Sequence, residues 1–64
     1  MTFNELVWLL EEAGYELVRE KGSVRYYGKS DVARLIRIDY RGAREVPTGT
    51  LNAILKAAGL KRRG

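Results

Sequence analysis

The chain has no cysteine and no histidine, and only one proline and one phenylalanine. Without cysteine no disulfide can brace the fold, which suits a reducing compartment such as the cytoplasm. Without histidine the usual general base, pH switch and imidazole ligand are lost together. Metal chemistry would rest on carboxylates alone, and these are not clustered along the chain, so neither metal nor other cofactor is expected. No apolar run approaches the roughly 20 residues of a membrane span, and no signal-peptide pattern is present. The expectation is a soluble cytoplasmic domain with no membrane partner. At 64 residues the chain makes one domain at most, 1–64. Such a chain buries only about 60% of its unfolded surface, so its core is small.

What is present is charge, unevenly placed. The net charge is +4. Residues 1–20 hold Glu5, Glu11, Glu12, Glu16 and Glu20 against Arg19 alone, whereas residues 21–64 hold Asp31, Asp39 and Glu45 among many lysines and arginines. The split implies a basic face that attracts phosphates and an acidic face turned away. A net charge of this size also serves solubility alone.

Thr2-Phe3-Asn4-Glu5 is a capping box, in which hydroxyl and carboxylate each satisfy the other residue's amide. Phe3, Leu6, Leu10 and Ala13 follow at helical spacing, and Gly14 is a natural stop, so a helix is predicted over Thr2 to Ala13. Trp8 lies round the side, at the edge of the core or free for a partner, with the core edge favoured. Tyr15 to Glu20 reads as a strand. Lys21-Gly22 reads as a tight hairpin turn, since Gly supplies the positive φ. Val24 to Tyr27 reads as a second strand. An Arg with two Tyr beside a Lys-Gly turn can bind phosphate and stack on bases, but the same residues more often mark a half-buried strand, which is the favoured reading. A one-residue slip exchanges Arg25 and Tyr27 with Val24 and Tyr26, so their faces stay open at this point.

Gly28-Lys29-Ser30-Asp31 is turn chemistry. Arg34 to Tyr40 reads as a third strand, with Ile36 and Ile38 on one face and Arg37 and Asp39 on the other. Arg41 to Glu45 reads as a loop whose Arg41 and Arg44 are either phosphate contacts or ordinary solvent charges. Pro47 sets the entry to a second helix, capped by Thr48 or Thr50. Leu51, Ile54, Leu55 and Ala58 form its apolar stripe. Gly59 should close it as a Schellman stop with Leu60 folding back on Leu55. The tail Lys61-Arg62-Arg63-Gly64 reads as frayed, adding non-specific attraction to RNA. The expected fold is α+β, in the order α-β-β-β-α. Both helices pack on one face of a three-stranded antiparallel sheet.

The segments ELVWLLEEAGYELVREKGS and VPTGTLNAILKAAGL resemble the HicA toxins of bacterial toxin–antitoxin systems over nearly the whole chain. The resemblance implies a fold like the double-stranded RNA-binding domain and the activity of an mRNA interferase that cuts without a metal. It also implies a partner, an antitoxin of the HicB family. In the family, Gly-Ser is typically followed by a catalytic His. Here Gly22-Ser23 is followed by Val24, which has no ionisable group, and Asp39-Tyr40-Arg41-Gly42 stands where a second His-Gly stretch is often found. Lys21, Gly22 and Ser23 carry over as motif positions.

Metal-free cleavage through the ribose 2′-OH needs a base, an acid and charge stabilisation. Arg25, Lys21 and Arg37 can supply the charge. Tyr26, Tyr27 and Tyr40 are candidate acids, and the ordinary pKa of an unperturbed phenol, near 10, makes tyrosine a poor base at neutral pH. Asp39 or Glu45 can be a base if burial raises its pKa. The catalytic candidates are therefore Tyr26, Tyr40 and Asp39. The RNA-binding set is Lys21, Gly22, Ser23, Arg25, Tyr27, Arg37, Arg41 and Arg44. Three functions remain: a nuclease with a rearranged site, an RNA-binding module without catalysis, and an antitoxin-binding interaction module.

Overall fold

A computed structural model of the chain describes residues 1–60; the expectation for the tail Lys61 to Gly64 lies outside the described residues. The elements are α1 (Phe3–Glu12), β1 (Glu16–Lys21), β2 (Val24–Lys29), β3 (Val32–Asp39) and α2 (Thr48–Ala57). This is the α-β-β-β-α order that the pattern predicts, with an antiparallel sheet ordered β1-β2-β3. Tyr15 is not a strand residue: it turns off the end of α1 and is 4% exposed, with its hydroxyl donating to the Ala58 carbonyl at 3.3 Å.

The core gathers one stripe from each helix onto one sheet face. Phe3, Leu6, Val7 and Leu10 come from α1, and Leu51, Ile54 and Leu55 from α2. They meet Tyr27, Ile36 and Ile38 of the sheet. Each fully buried aliphatic side chain contributes about 1.5–3 kcal/mol relative to exposure, so these few residues supply most of the favourable term.

Both helices end alike. After α1, Gly14 has φ +97; its amide donates to the Glu11 carbonyl and that of Tyr15 to Leu10. After α2, Gly59 has φ +72; its amide donates to Lys56 and that of Leu60 to Leu55. These are the paired bonds of a Schellman motif, which needs a left-handed residue where glycine sits. The helix starts differ. The α1 capping box is present, with the Glu5 amide donating to Thr2 Oγ1 at 3.2 Å and the Thr2 amide to Glu5 Oε1 at 2.8 Å. In α2 neither Thr48 nor Thr50 acts as a cap. Pro47 occupies the N-cap with no side-chain bond, and both threonines lie inside the first turn.

The remaining free amides of α1 shape the loop after β3. Phe3 N donates to the Arg44 carbonyl and Asn4 N to that of Gly42, both at 3.0 Å. The Val46 amide donates to Met1 O at 2.8 Å, and the Met1 amine pairs with Glu45 at 2.8 Å. The first residues of the chain therefore hold Arg41 to Glu45 in place, because a helix start leaves donors that something must accept.

Candidate nucleic-acid interface

The register settles which side chains share a face. Tyr27 pairs with Ile36 and Arg25 with Ile38, so all four point toward the helices. Val24 pairs with Asp39 and Tyr26 with Arg37 on the opposite, open face. In β1 a bulge between Leu17 and Arg19 shifts the alternation. Leu17 opposes Tyr27, yet Arg19 opposes Tyr26 and Lys21 opposes Val24. The extra residue turns Arg19 onto the open face, where plain alternation would have kept it with Leu17.

Three rows then cross the open face. The first is Lys21, Val24 and Asp39. The second is Arg19, Tyr26 and Arg37, a tyrosine between two arginines on neighbouring strands. In the third, Val18 and Leu35 close over Gly28. A Cβ at Gly28 would lie 2.8 Å from Val18 Cγ2 and 2.9 Å from Leu35 Cδ2, so glycine is what lets those side chains meet. Val18 and Leu35 remain 59% and 49% exposed.

The motif turn sits at one end of this face. Gly22 has φ +59 and Ser23 does not share the positive sign, the pattern of a hairpin turn with glycine at its first central position. The turn is Gly22-Ser23, one residue later than Lys21-Gly22. Lys21, Gly22 and Ser23 are all exposed. Ser23 Oγ donates to Asp39 Oδ1 at 3.0 Å, and Arg41 Nη2 donates to Asp39 Oδ2 at 3.2 Å. The Ser23 hydroxyl foremost, then Arg41 and Arg37, hold the Asp39 carboxyl below its ordinary value. Exposed and lowered, Asp39 lacks the raised pKa that a base near neutrality needs.

Arg25 and Tyr27, expected to meet RNA, lie on the covered face. Tyr27 is 1% exposed, so no base can reach its ring. Half-buried Arg25 donates from Nε to Glu20 at 3.1 Å and from Nη1 to the Tyr27 hydroxyl at 3.2 Å. Its guanidinium carbon sits 3.9 Å from the centre of the Tyr40 ring. The Tyr27 hydroxyl first, then Glu20, favour its charged form. The Tyr40 hydroxyl donates to Asn4 Oδ1. Arg25, Tyr27 and Tyr40 thus engage one another and join the sheet to the start of α1. Among the catalytic candidates, only Tyr26 has a hydroxyl with no hydrogen bond among the described residues.

Arg37, Arg41 and Arg44 are exposed along the β3 side, and Arg44 shares a cleft with Arg37 and Arg41. Trp8 is 61% exposed rather than a core edge. It stands on α1 one turn from Glu5, Glu11 and Glu12, so the acidic surface is the outer side of α1. Arg19 is the open-face cation that the sequence pattern missed. Its only signal was an apolar Leu17-Val18 pair, which a bulge accommodates and strict alternation does not.

A family model described as the HicA toxin of bacterial toxin–antitoxin systems matches residues 3–60. The chain belongs to the HicA toxin family. It is a toxin module of a toxin–antitoxin pair, and the observed order of elements agrees with what the resemblance implied. No curated protein matches the chain. Val24, which in this HicA chain follows the Gly-Ser pair, lies on the open face directly across from Asp39.

Proposed function

We propose that this HicA-family chain binds RNA on the open face of its sheet and cleaves it weakly or not at all. The observation that carries the binding is the row Arg19, Tyr26, Arg37 with Lys21 beside it. A tyrosine offers a stacking face to any base, and flanking cations meet the phosphates on either side. The Val18–Leu35 pair next to it adds apolar surface for a ribose or base.

The catalytic deficit follows from the same face. Cleavage by the 2′-OH needs a group to take its proton, and position 24 offers only an isopropyl group. Asp39 is held too acidic by Ser23 and Arg41 for that task. Tyr26 can donate a proton but is a poor acceptor. Loss of a general base typically slows such a reaction by on the order of 10²–10⁴-fold.

The test is a long single-stranded RNA incubated with the chain in EDTA, beside a Val24→His variant. An imidazole there would face Asp39 across the two strands, and a carboxylate in that position orients a histidine and stabilises its charged form. The expected result is tight, salt-sensitive binding by both proteins and measurable cleavage only by Val24→His. Brisk cleavage by the unaltered chain would overturn the catalytic half of the proposal. Binding unaffected by Tyr26→Ala would overturn the placement on the open face.

A further inference from the structure

Among the described residues the sheet has two free edges, and their irregularities fall at different places. The β1 edge is interrupted by the bulge between Leu17 and Arg19 and carries carboxylates as well as cations. Bulges and mixed charge are the usual means of discouraging strand addition. The β3 edge carries both signs of charge too and has its own register shift between Val32 and Ile36, but it is regular from Ile36 to Asp39, whereas β1 has its bulge mid-strand. The Tyr40 amide donates to the Ser23 carbonyl at 2.8 Å, so Ser23 and Tyr40 form a hydrogen-bonded pair. Antiparallel pairs alternate, so Ile38 and Ile36 bond to β2 while Arg37 and Asp39 aim their backbone groups outward.

Beside that edge runs a cleft of about 590 Å³ between β3 and α2. Its apolar wall includes Phe3, Pro47, Ala53 and Ile54. Its charged rim is cationic in effect. Asp39 is paired with Arg41 and Glu45 with the Met1 amine, which leaves Arg37 and Arg44 without a salt bridge among the described residues.

We propose that an extended acidic segment of a partner protein docks here as a fourth strand along β3. The inference rests on reading the chain as the toxin of a pair with a protein partner. A strand answers both the outward N–H and the outward C=O groups, which a phosphate backbone cannot, since phosphate only accepts. Alternation of the added strand sends one set of side chains into the apolar cleft and the other toward Arg37 on the open face. A second copy of this chain is a worse occupant, because symmetric antiparallel β3–β3 pairing about Arg37 sets that arginine against its own copy. Docking at this edge would cover Arg37 and so compete with RNA for it.

The test uses the isotopically labelled 64-residue chain and a capped peptide of alternating glutamate and valine as probe. Expected are amide shifts and slowed exchange at Arg37 and Asp39, with further shifts along the cleft side of α2. A peptide of alternating lysine and valine should produce none. Arg37→Pro removes one outward N–H at a position where an edge strand tolerates proline, and should abolish the protection. Arg37→Glu, which keeps the backbone donor, should weaken the peptide by about tenfold. Shifts confined to β1, equal binding of the two peptides, or no binding would overturn the proposal. So would stronger protection of the same two amides by a single-stranded oligouridylate. A separate oligouridylate titration of Tyr26→Ala reports on RNA binding alone, so failure of that reading and failure of strand docking are told apart.

Discussion

The two faces of the sheet are made by the same three strands, yet identical residue types meet opposite fates on them. Tyr26 and Tyr27 are neighbours in sequence. Tyr27 fills the core beneath both helices, whereas Tyr26 stands among arginines on the open side. Arg25 and Arg37 divide in the same way. Arg25 is enclosed by Glu20, Tyr27 and Tyr40, while Arg37 makes no salt bridge among the described residues. The lesson is that composition of a strand names its chemistry, and register decides whether that chemistry is spent on folding or offered to a ligand.

The tyrosines give the sharpest way to break this comparison. Tyr27→Ala should cost about 3–5 kcal/mol, as deletion of a buried aromatic does. For a chain of this size that is much or all of the stability. Thermal unfolding followed by circular dichroism should show little or no cooperative transition. Tyr26→Ala should unfold within about 1 kcal/mol of the parent and lose about 1–3 kcal/mol of RNA binding, the worth of one stacked base. Equal destabilisation by both substitutions would remove the distinction between the faces.

The arginines sharpen it at smaller scale. Arg37→Ala should lower RNA affinity and reduce the salt slope by about 0.7, one phosphate contact on a single strand, while leaving the unfolding midpoint nearly unchanged. Arg25→Ala should do the reverse. It loses a partly exposed ion pair and its stacking on Tyr40, together about 1 kcal/mol, with little change in salt slope. Titrations at several salt concentrations, set beside urea melts of each variant, decide between these outcomes. Gly28→Ala comes next. The new methyl must push apart Val18 and Leu35, whose exposed ends can move, so the loss should sit near the low end of overpacking, about 1 kcal/mol.

Much of the fold was legible because it rests on local rules. The capping box at Thr2 and the glycine stops at Gly14 and Gly59 each follow from a few adjacent residues. The apolar stripes follow from spacing alone. The faces of β2 were not legible, since they depend on register, which a one-residue slip inverts. Arg19 was hidden for a related reason: the bulge that re-aims it is a property of pairing with β2, not of β1 by itself. Burial of Arg25 was equally out of reach, because its partners Glu20 and Tyr40 come together only across the folded sheet. Thr48 and Thr50 carried the right chemistry for a cap, but Pro47 took the N-cap position and left them inside the first turn.

The smallest effects concern acid. Glu5 has its carboxyl lowered, chiefly by the Thr2 amide and then by the Thr2 hydroxyl, and Asp39 chiefly by the Ser23 hydroxyl. A carboxylate with a lowered folded-state pKa adds stability that is fully present above its unfolded value. That stability is lost as pH falls out of the ordinary carboxylate range and through the lower folded value. Melting temperature should therefore fall on acidification, and Glu5→Gln should make the acid limb shallower. Asp39 separates the two faces once more, since on the open side its charge also opposes phosphate. Asp39→Asn should likewise flatten the acid limb while raising RNA affinity modestly at neutral pH. A fall in affinity instead would mean that the carboxylate serves RNA binding by holding Ser23 and Arg41 in place, and that this outweighs its repulsion.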